Sequence, residues 1–275
     1  MLPLLLILVV MGLSLGFIFG YPQWVQWKRE RLLTHPFPEQ WLATVQQSLP
    51  MYDALTVEQQ KNLRNCVQIL IAEKQFIGCQ GVTVTMEMKV VIAAIASLLL
   101  CHREHQFFPK LKTILVYPHP YRVQTQVHVG GGVTTVQEES RLGESWSRDQ
   151  LVLAWDQIER DLRQWNDGRN LILHEFSHQL DQADGVAEGV PLLATKELYQ
   201  QWSSVMSKEF NLLCKWVNQG RKTALDPYGT LNPAEFFAVA TESFFEKPRQ
   251  VSQKHPALYE LLRQYYGVDP LADWL

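Results

Sequence analysis

Residues 171–185 read LILHEFSHQLDQADG and contain two histidines, His174 and His178, that are four positions apart. Apolar residues flank the histidines on both sides, so the sequence predicts a helix whose back face is buried. Asn170 is suited to cap the start of this helix and Gly185 to end it. On such a helix the two imidazoles lie on one face, one turn apart, and can reach the same ion.

Glu175 follows the first histidine and completes the pattern His-Glu-x-x-His. In this pattern zinc lowers the pKa of a bound water toward ~7, and the glutamate takes a proton from that water as it attacks a carbonyl. The pattern indicates a zinc hydrolase with Glu175 as general base. The competing interpretation of the two histidines is a hydrogen-bonded pair in the core. Asp181 either orients a ligand from outside the first coordination sphere or is a solvated helix residue.

A third protein ligand is expected in the stretch 226–248, DPYGTLNPAEFFAVATESFFEKP. Asn232 followed by Pro233 predicts the start of a helix. Glu235 lies in the first turn of this helix, and Glu242 lies seven positions later on the same face, so either can be the third ligand. Tyr228 precedes the helix on a turn, where its phenol could donate to an oxyanion. The alternative for Tyr228 is a turn aromatic that covers the core.

The first twenty residues are almost entirely apolar, and no charged side chain occurs before Lys28. About 20 apolar residues are enough to cross the hydrocarbon core of a bilayer. Aromatic residues and a basic cluster follow, as at a membrane interface, and features of a cleaved signal peptide are missing. The sequence therefore predicts a transmembrane anchor over residues 1–27, with a single pass and the C-terminal body in the cytoplasm. The alternative is a buried hydrophobic helix.

The remaining chain predicts a connector over residues 28–50 and one domain over residues 51–275. The segments KTILVYPHPY and DQLVLAWDQI read as strands, and alternation on both sides of Gly130–Gly132 predicts a hairpin. Thr56 predicts a helix start, and KVVIAAIASLLLCH predicts a buried core helix. Further helices are expected over 194–219, 232–246 and 255–266. The predicted fold is α+β, with a small mixed sheet and flanking helices.

Composition narrows the range of partners. The net charge is −3 and no basic stripe is long enough to follow a phosphate backbone, so a nucleic-acid partner is not expected. None of the four cysteines forms a C-x-x-C pair, which argues against a thiolate zinc knuckle. The four cysteines lie far apart and are expected to be buried free thiols in a reducing compartment, with a single disulfide as the alternative.

The sequence resembles the Mlc titration factor A family of zinc peptidases over about residues 35–270. The resemblance rests on LHEFSHQLD, on the stretch 226–248, and on GESWSRDQLVLAWDQ, VIAAIASLLL and HPALYELLRQYYGVDPL, which occur in the expected order. The catalytic core of that family is similar to the peptidase domain of anthrax lethal factor, where a tyrosine precedes the zinc-binding glutamate by seven positions. Tyr228 and Glu235 have this spacing, so the resemblance favours Glu235 over Glu242 as third ligand.

The resemblance implies a zincin-like metallopeptidase core and aminopeptidase-like hydrolysis of short peptides. It implies a zinc ion bound by His174, His178 and Glu235. It also implies that Glu175 is the general base and that Tyr228 donates to the oxyanion. Glu242 would then be a supporting or structural carboxylate. A second hypothesis is a membrane-anchored binding protein of the same fold that sequesters a transcriptional regulator, and a third is a zinc hydrolase of non-peptide amides.

Overall fold

The structure is a computed structural model, which describes residues 20–100, 107–128, 134–141, 143–147 and 149–274. The chain divides into two compact units, residues 1–39 and residues 40–275. In the first unit, residues 20–33 form helix α1. No helix in the described ranges is both long enough and apolar enough to cross a membrane. The predicted span falls on residues 1–19, outside the described residues, so the anchor remains a prediction.

The second unit starts with three helices. Helix α2 (Glu39–Ser48) lies within the segment expected to be a connector, and Val45 and Leu49 at its end are fully buried. Helix α3 (Val57–Glu73) begins with a capping box between Thr56 and Gln59, as the sequence predicts. Helix α4 (Met86–Leu98) is buried almost throughout, which confirms the predicted core helix.

A small mixed sheet follows, whose first strand lies between α3 and α4 in the chain and whose other strands lie between α4 and the C-terminal helices. Four strands pair in the order β1-β2-β6-β5, where β1, β2 and β6 are parallel and β5 is antiparallel to β6. A separate hairpin pairs β3 with β4, and its connection over residues 129–133, including the predicted Gly130–Gly132 turn, lies outside the described residues. The strands are β1 (Gln75–Gly78), β2 (Thr113–Tyr117), β3 (Tyr121–His128), β4 (Thr134–Arg141), β5 (Gly143–Ser147) and β6 (Gln150–Ala154).

Helices form most of the remaining chain and confirm the expected α+β class. Helix α6 packs against β5 and β6 on one side and against α8 on another. Aromatic side chains of α8 fill the core beside it, including Phe236, Phe237, Phe244 and Phe245, all of which are buried. The helices are α5 (Trp155–Arg163), α6 (Leu171–Asp181), α7 (Lys196–Asn218), α8 (Pro233–Glu246), α9 (Pro248–Lys254), α10 (Pro256–Tyr266) and α11 (Pro270–Asp273).

Candidate metal centre

Helix α6 carries the two histidines on a face that differs from the rest of the helix. Asn170 caps the helix, because its side chain accepts a hydrogen bond of 3.1 Å from the Leu173 N–H. Nine of the eleven residues of α6 are buried, and the two that are not are His174 and His178. Their ring centroids are 4.9 Å apart. The helix is therefore buried except at these two imidazoles, which lie one turn apart on the one face that is partly exposed to solvent.

Helix α8 presents a carboxylate in the same way. Asn232 caps the helix by accepting a hydrogen bond of 2.9 Å from the Glu235 N–H, and Pro233 occupies the first position. Every residue from Ala234 to Glu246 is buried except Glu235. The cap thus places one carboxylate at the open end of a helix that is otherwise part of the core.

The three partly buried side chains meet at one point. His174 Nε2 lies 3.0 Å from Glu235 Oε2 and 3.3 Å from His178 Nε2, and the third edge of this triangle, from His178 Nε2 to Glu235 Oε2, is 3.6 Å. A tetrahedral ion with ligands at about 2.0–2.1 Å sets neighbouring ligand atoms about 3.3–3.4 Å apart. Within the described part of the chain, this is the one group of three histidine, cysteine or acidic side chains placed to hold an ion. Two imidazole nitrogens and a carboxylate oxygen at this spacing fit a divalent metal.

The three groups stabilise one another electrostatically. Burial alone would lower the pKa of His174, but the charge of Glu242 and hydrogen bonds with Glu235 and Glu242 raise it well above the usual value. Burial alone would raise the pKa of Glu235, but hydrogen bonds with His174 and His178 and their positive charge hold it well below the usual range. A metal ion that binds here must displace protons from the imidazoles, because only a neutral ring offers a lone pair.

Glu175 lies next to His174 on the buried helix, and its side chain is almost inaccessible to solvent. Burial raises the pKa of Glu175, while the positive charges of His174 and His178 act in the opposite direction. A carboxylate in this environment holds a proton more readily than one in water. That property suits a group that takes and returns a proton during a reaction.

Tyr228 lies on a 3-10 turn, Pro227–Thr230, at the edge of this site. Its half-exposed ring has its centroid 5.9 Å from that of His174. Asp226 holds the turn by accepting a hydrogen bond of 2.9 Å from the Tyr228 N–H, and its other oxygen accepts from Arg169 Nε at 2.7 Å. Since Arg169 directly precedes the cap of α6, this chain of contacts ties the tyrosine turn to the histidine helix.

Comparison with known proteins places the chain in a family. The sequence profile of the family described as "Glucose-regulated metallo-peptidase M90" matches residues 24–267. The chain belongs to this metallopeptidase family. Two relatives named Mlc titration factor A confirm the resemblance. The protein from Pectobacterium atrosepticum is 30% identical over 239 residues, which cover 85% of this chain and 88% of the relative. The protein from Yersinia pestis is 28% identical over 230 residues, covering 82% and 83%.

A third relative covers almost the whole chain. It is an uncharacterized protein of Synechocystis sp. that is 41% identical over 272 residues, covering 98% of this chain and 99% of the relative. Membership of a metallopeptidase family implies a metal ion. The described residues offer His174, His178 and Glu235 as a group that can hold it.

The structure distinguishes the two glutamates of α8, Glu235 and Glu242, which helical spacing left as equal candidates for the third ligand. Glu242 does not join the triangle of ligand atoms but approaches His174 from the other side of the ring, with Oε1 2.8 Å from Nδ1. Asp181 is not the solvated helix residue of one interpretation. It is fully buried and accepts hydrogen bonds from the N–H groups of Gly189 and Val190. Helix α6 ends at Asp181, so the predicted end at Gly185 is four residues too late.

The loop after α6 reaches the start of α8 at Gly189. This residue has φ +77°, and a Cβ there would run into the backbone carbonyl of Pro233. The Asp181 carboxylate and this glycine together hold the loop against the helix that carries Glu235.

Sequence reasoning missed two buried carboxylates near the start of α6. Burial raises the pKa of Asp161 to about 6 and that of Glu246 to about 8. Asp161 accepts from the Leu171 N–H and Glu246 from the Gly168 N–H, each at 2.8 Å. For Glu246 a sequence signal existed, since it lies one turn after Glu242 on a largely apolar helix, whereas Asp161 is one of several charged residues on α5.

Proposed function

We propose that this chain is a zinc-dependent peptidase that hydrolyses short peptides. The observation that carries the proposal is the triangle of His174 Nε2, His178 Nε2 and Glu235 Oε2, with edges of 3.0, 3.3 and 3.6 Å, on two otherwise buried helices. Two imidazoles and one carboxylate are the donor set of catalytic zinc sites, in which three protein ligands leave one position for water or substrate. Zinc at this position would polarise a substrate carbonyl and make water more acidic.

The protein side chains around the triangle divide the remaining chemistry between them. Glu175 takes the proton of the attacking water and passes it to the nitrogen of the leaving amine. The Tyr228 hydroxyl donates a hydrogen bond to the oxyanion of the tetrahedral intermediate, and the Asp226 contact holds its turn in place. The low exposure of the α6 helix around Glu175 keeps bulk water away from this proton transfer.

The test of this function is hydrolysis by the full chain, purified in detergent and loaded with zinc. Aminoacyl and short-peptide chromogenic substrates are offered with free and with acetylated N-termini. We expect turnover that stops after chelation and returns when zinc is added. Aminopeptidase-like action, which the family resemblance favours, requires turnover of the free amines alone. Stoichiometric zinc with no turnover on any substrate would contradict the proposal.

A second candidate function comes from the name of two relatives, Mlc titration factor A. That name favours a regulatory binding role for those proteins, and the same fold here could sequester a transcriptional regulator. Glu175 argues for catalysis, because sequestration alone has no use for a buried carboxylate beside two candidate ligands. The variant Glu175→Gln distinguishes the two functions, because it should reduce hydrolysis and leave a binding surface unchanged.

We also propose that the N-terminal segment anchors the chain to a membrane, with the metal centre in the cytoplasm. In the described part of this segment, Tyr21, Trp24 and Trp27 are about half exposed. The Lys28 ammonium lies 4.5 Å from the centre of a Trp24 ring, an arrangement suited to the headgroup region of a bilayer. A reporter that is active only in the cytoplasm should be active when it is fused to the C-terminus. Activity of a reporter that works only outside the cytoplasm would overturn the orientation.

A further inference from the structure

Three buried carboxylates surround the start of the histidine helix α6. The first N–H groups of a helix have no partner within the helix, and its N-terminal end carries partial positive charge. Here acidic side chains from α5 and α8 accept hydrogen bonds from the N–H groups of Leu171, of the cap Asn170 and of the two residues before it. Gly168 and Arg169 donate to Glu246 Oε2 at 2.8 and 3.1 Å, Asn170 donates to Glu242 Oε2 at 2.6 Å, and Leu171 donates to Asp161 Oδ2 at 2.8 Å.

Glu242 differs from the other two carboxylates in what its second oxygen contacts. The second oxygen of Glu246 accepts from the Asn170 side-chain amide at 3.2 Å, and that of Asp161 accepts from Gln157 at 2.6 Å. The second oxygen of Glu242 lies 2.8 Å from His174 Nδ1. Of these three groups, Glu242 is the one that joins the backbone at the start of α6 to the ring of a candidate metal ligand.

This contact determines which nitrogen of His174 carries a proton. A carboxylate offers only acceptor oxygens, so His174 Nδ1 must be the donor in the 2.8 Å contact. In the neutral ring the lone pair then lies on Nε2. Nε2 is the atom that lies 3.0 Å from Glu235 Oε2 and 3.3 Å from His178 Nε2.

We propose that Glu242 is a positioning residue for the metal centre. It accepts from the Asn170 N–H and the His174 Nδ1–H together, and so fixes both the tautomer and the direction of the His174 ring relative to its own helix. Helix α8 thus supplies one candidate ligand, Glu235. Through Glu242 it also orients a second candidate ligand, His174, which lies on the neighbouring helix α6. The inference rests on the proposed zinc site, because it concerns how one of its ligands is held.

The test is Glu242→Gln in the full chain, with zinc affinity measured on the folded protein by competition with a chromophoric chelator. A glutamine has one acceptor oxygen in place of two, so it cannot serve both the Asn170 N–H and the His174 Nδ1–H. If its NH₂ faces the ring, His174 must move its proton to Nε2 and loses the lone pair that points at the triangle. We expect zinc affinity to fall about 10–100-fold. Glu242→Asp, which keeps both acceptors on a shorter side chain, should recover part of this loss.

Glu246→Gln is the matched control, because Glu246 is buried like Glu242, lies one turn away and also accepts backbone N–H groups of the helix start. It changes the same helix start but contacts no candidate ligand, so it should leave zinc affinity as in wild type. Equal zinc affinity in Glu242→Gln and wild type, or an equal loss in both variants, would overturn the positioning role and leave the proposed peptidase intact. Wild-type protein that binds no zinc would overturn the metal site and this inference together.

Discussion

Glu175→Gln is expected to lower kcat for a short chromogenic peptide by about 10²–10⁴-fold, while the protein keeps its zinc and its fold. Glutamine has nearly the same shape as glutamate but cannot take a proton from water near neutral pH. The two histidines and Glu235 contact one another without any contribution from Glu175, so the substitution leaves the candidate ligands in place. Metal content, measured by atomic emission, and kcat with KM are the quantities to compare.

Glu188→Gln is a suitable control for this substitution. Glu188 lies in the loop after the same helix and is exposed, so the variant makes the same change of charge outside the buried face. It should retain wild-type kcat. A Glu175→Gln variant with kcat within tenfold of wild type and full zinc content would mean that another group is the general base.

The same variant separates catalysis from regulation. If the chain acts by sequestering a regulator, Glu175→Gln should bind that regulator as wild type does, because the residue is buried and cannot form part of an exposed surface. Loss of hydrolysis with unchanged binding would show that the two activities use different parts of the molecule. A biological effect that persists in this variant would assign the effect to binding.

The parts of the site that the sequence predicts are those encoded within about one helical turn. Asn170 and Asn232 cap their helices as expected, because a cap depends only on a side chain and an N–H three residues later. The spacing of His174 and His178 places both rings on one face for the same local reason. The predicted end at Gly185 is wrong, because the helix ends at Asp181, and the Asp181 carboxylate accepts hydrogen bonds from the Gly189 and Val190 N–H groups of the following loop.

The remaining parts of the site depend on how α6 and α8 pack, which periodicity does not reveal. Glu235 and Glu242 share one face of α8, so helical spacing alone cannot distinguish which of them is the metal ligand. Packing places Glu235 at His174 Nε2 and Glu242 at His174 Nδ1, on opposite sides of the ring. The contact between Gly168 and Glu246 joins residues 78 positions apart, and no local pattern specifies such a pair.

Glu235→Ala is expected to have the second large effect, a loss of zinc affinity greater than the roughly 10–100-fold that is typical when only a supporting residue of a metal site is removed. The substitution deletes one of three candidate ligands and leaves two imidazoles, which bind a single zinc ion far less firmly than a complete site. Hydrolysis should fall with the metal content. The helix itself should persist, because Asn232 caps the backbone N–H of residue 235, and alanine favours helix.

A matched control and a direct comparison make this prediction decisive. Glu197→Ala makes the same substitution in the first turn of α7, where Glu197 is exposed, and should bind zinc as wild type does. If Glu235 is the third ligand, zinc affinity should fall further in Glu235→Ala than in Glu242→Gln. The reverse order would mean that Glu242, whose Oε1 lies 2.8 Å from His174 Nδ1, is the third ligand in place of Glu235.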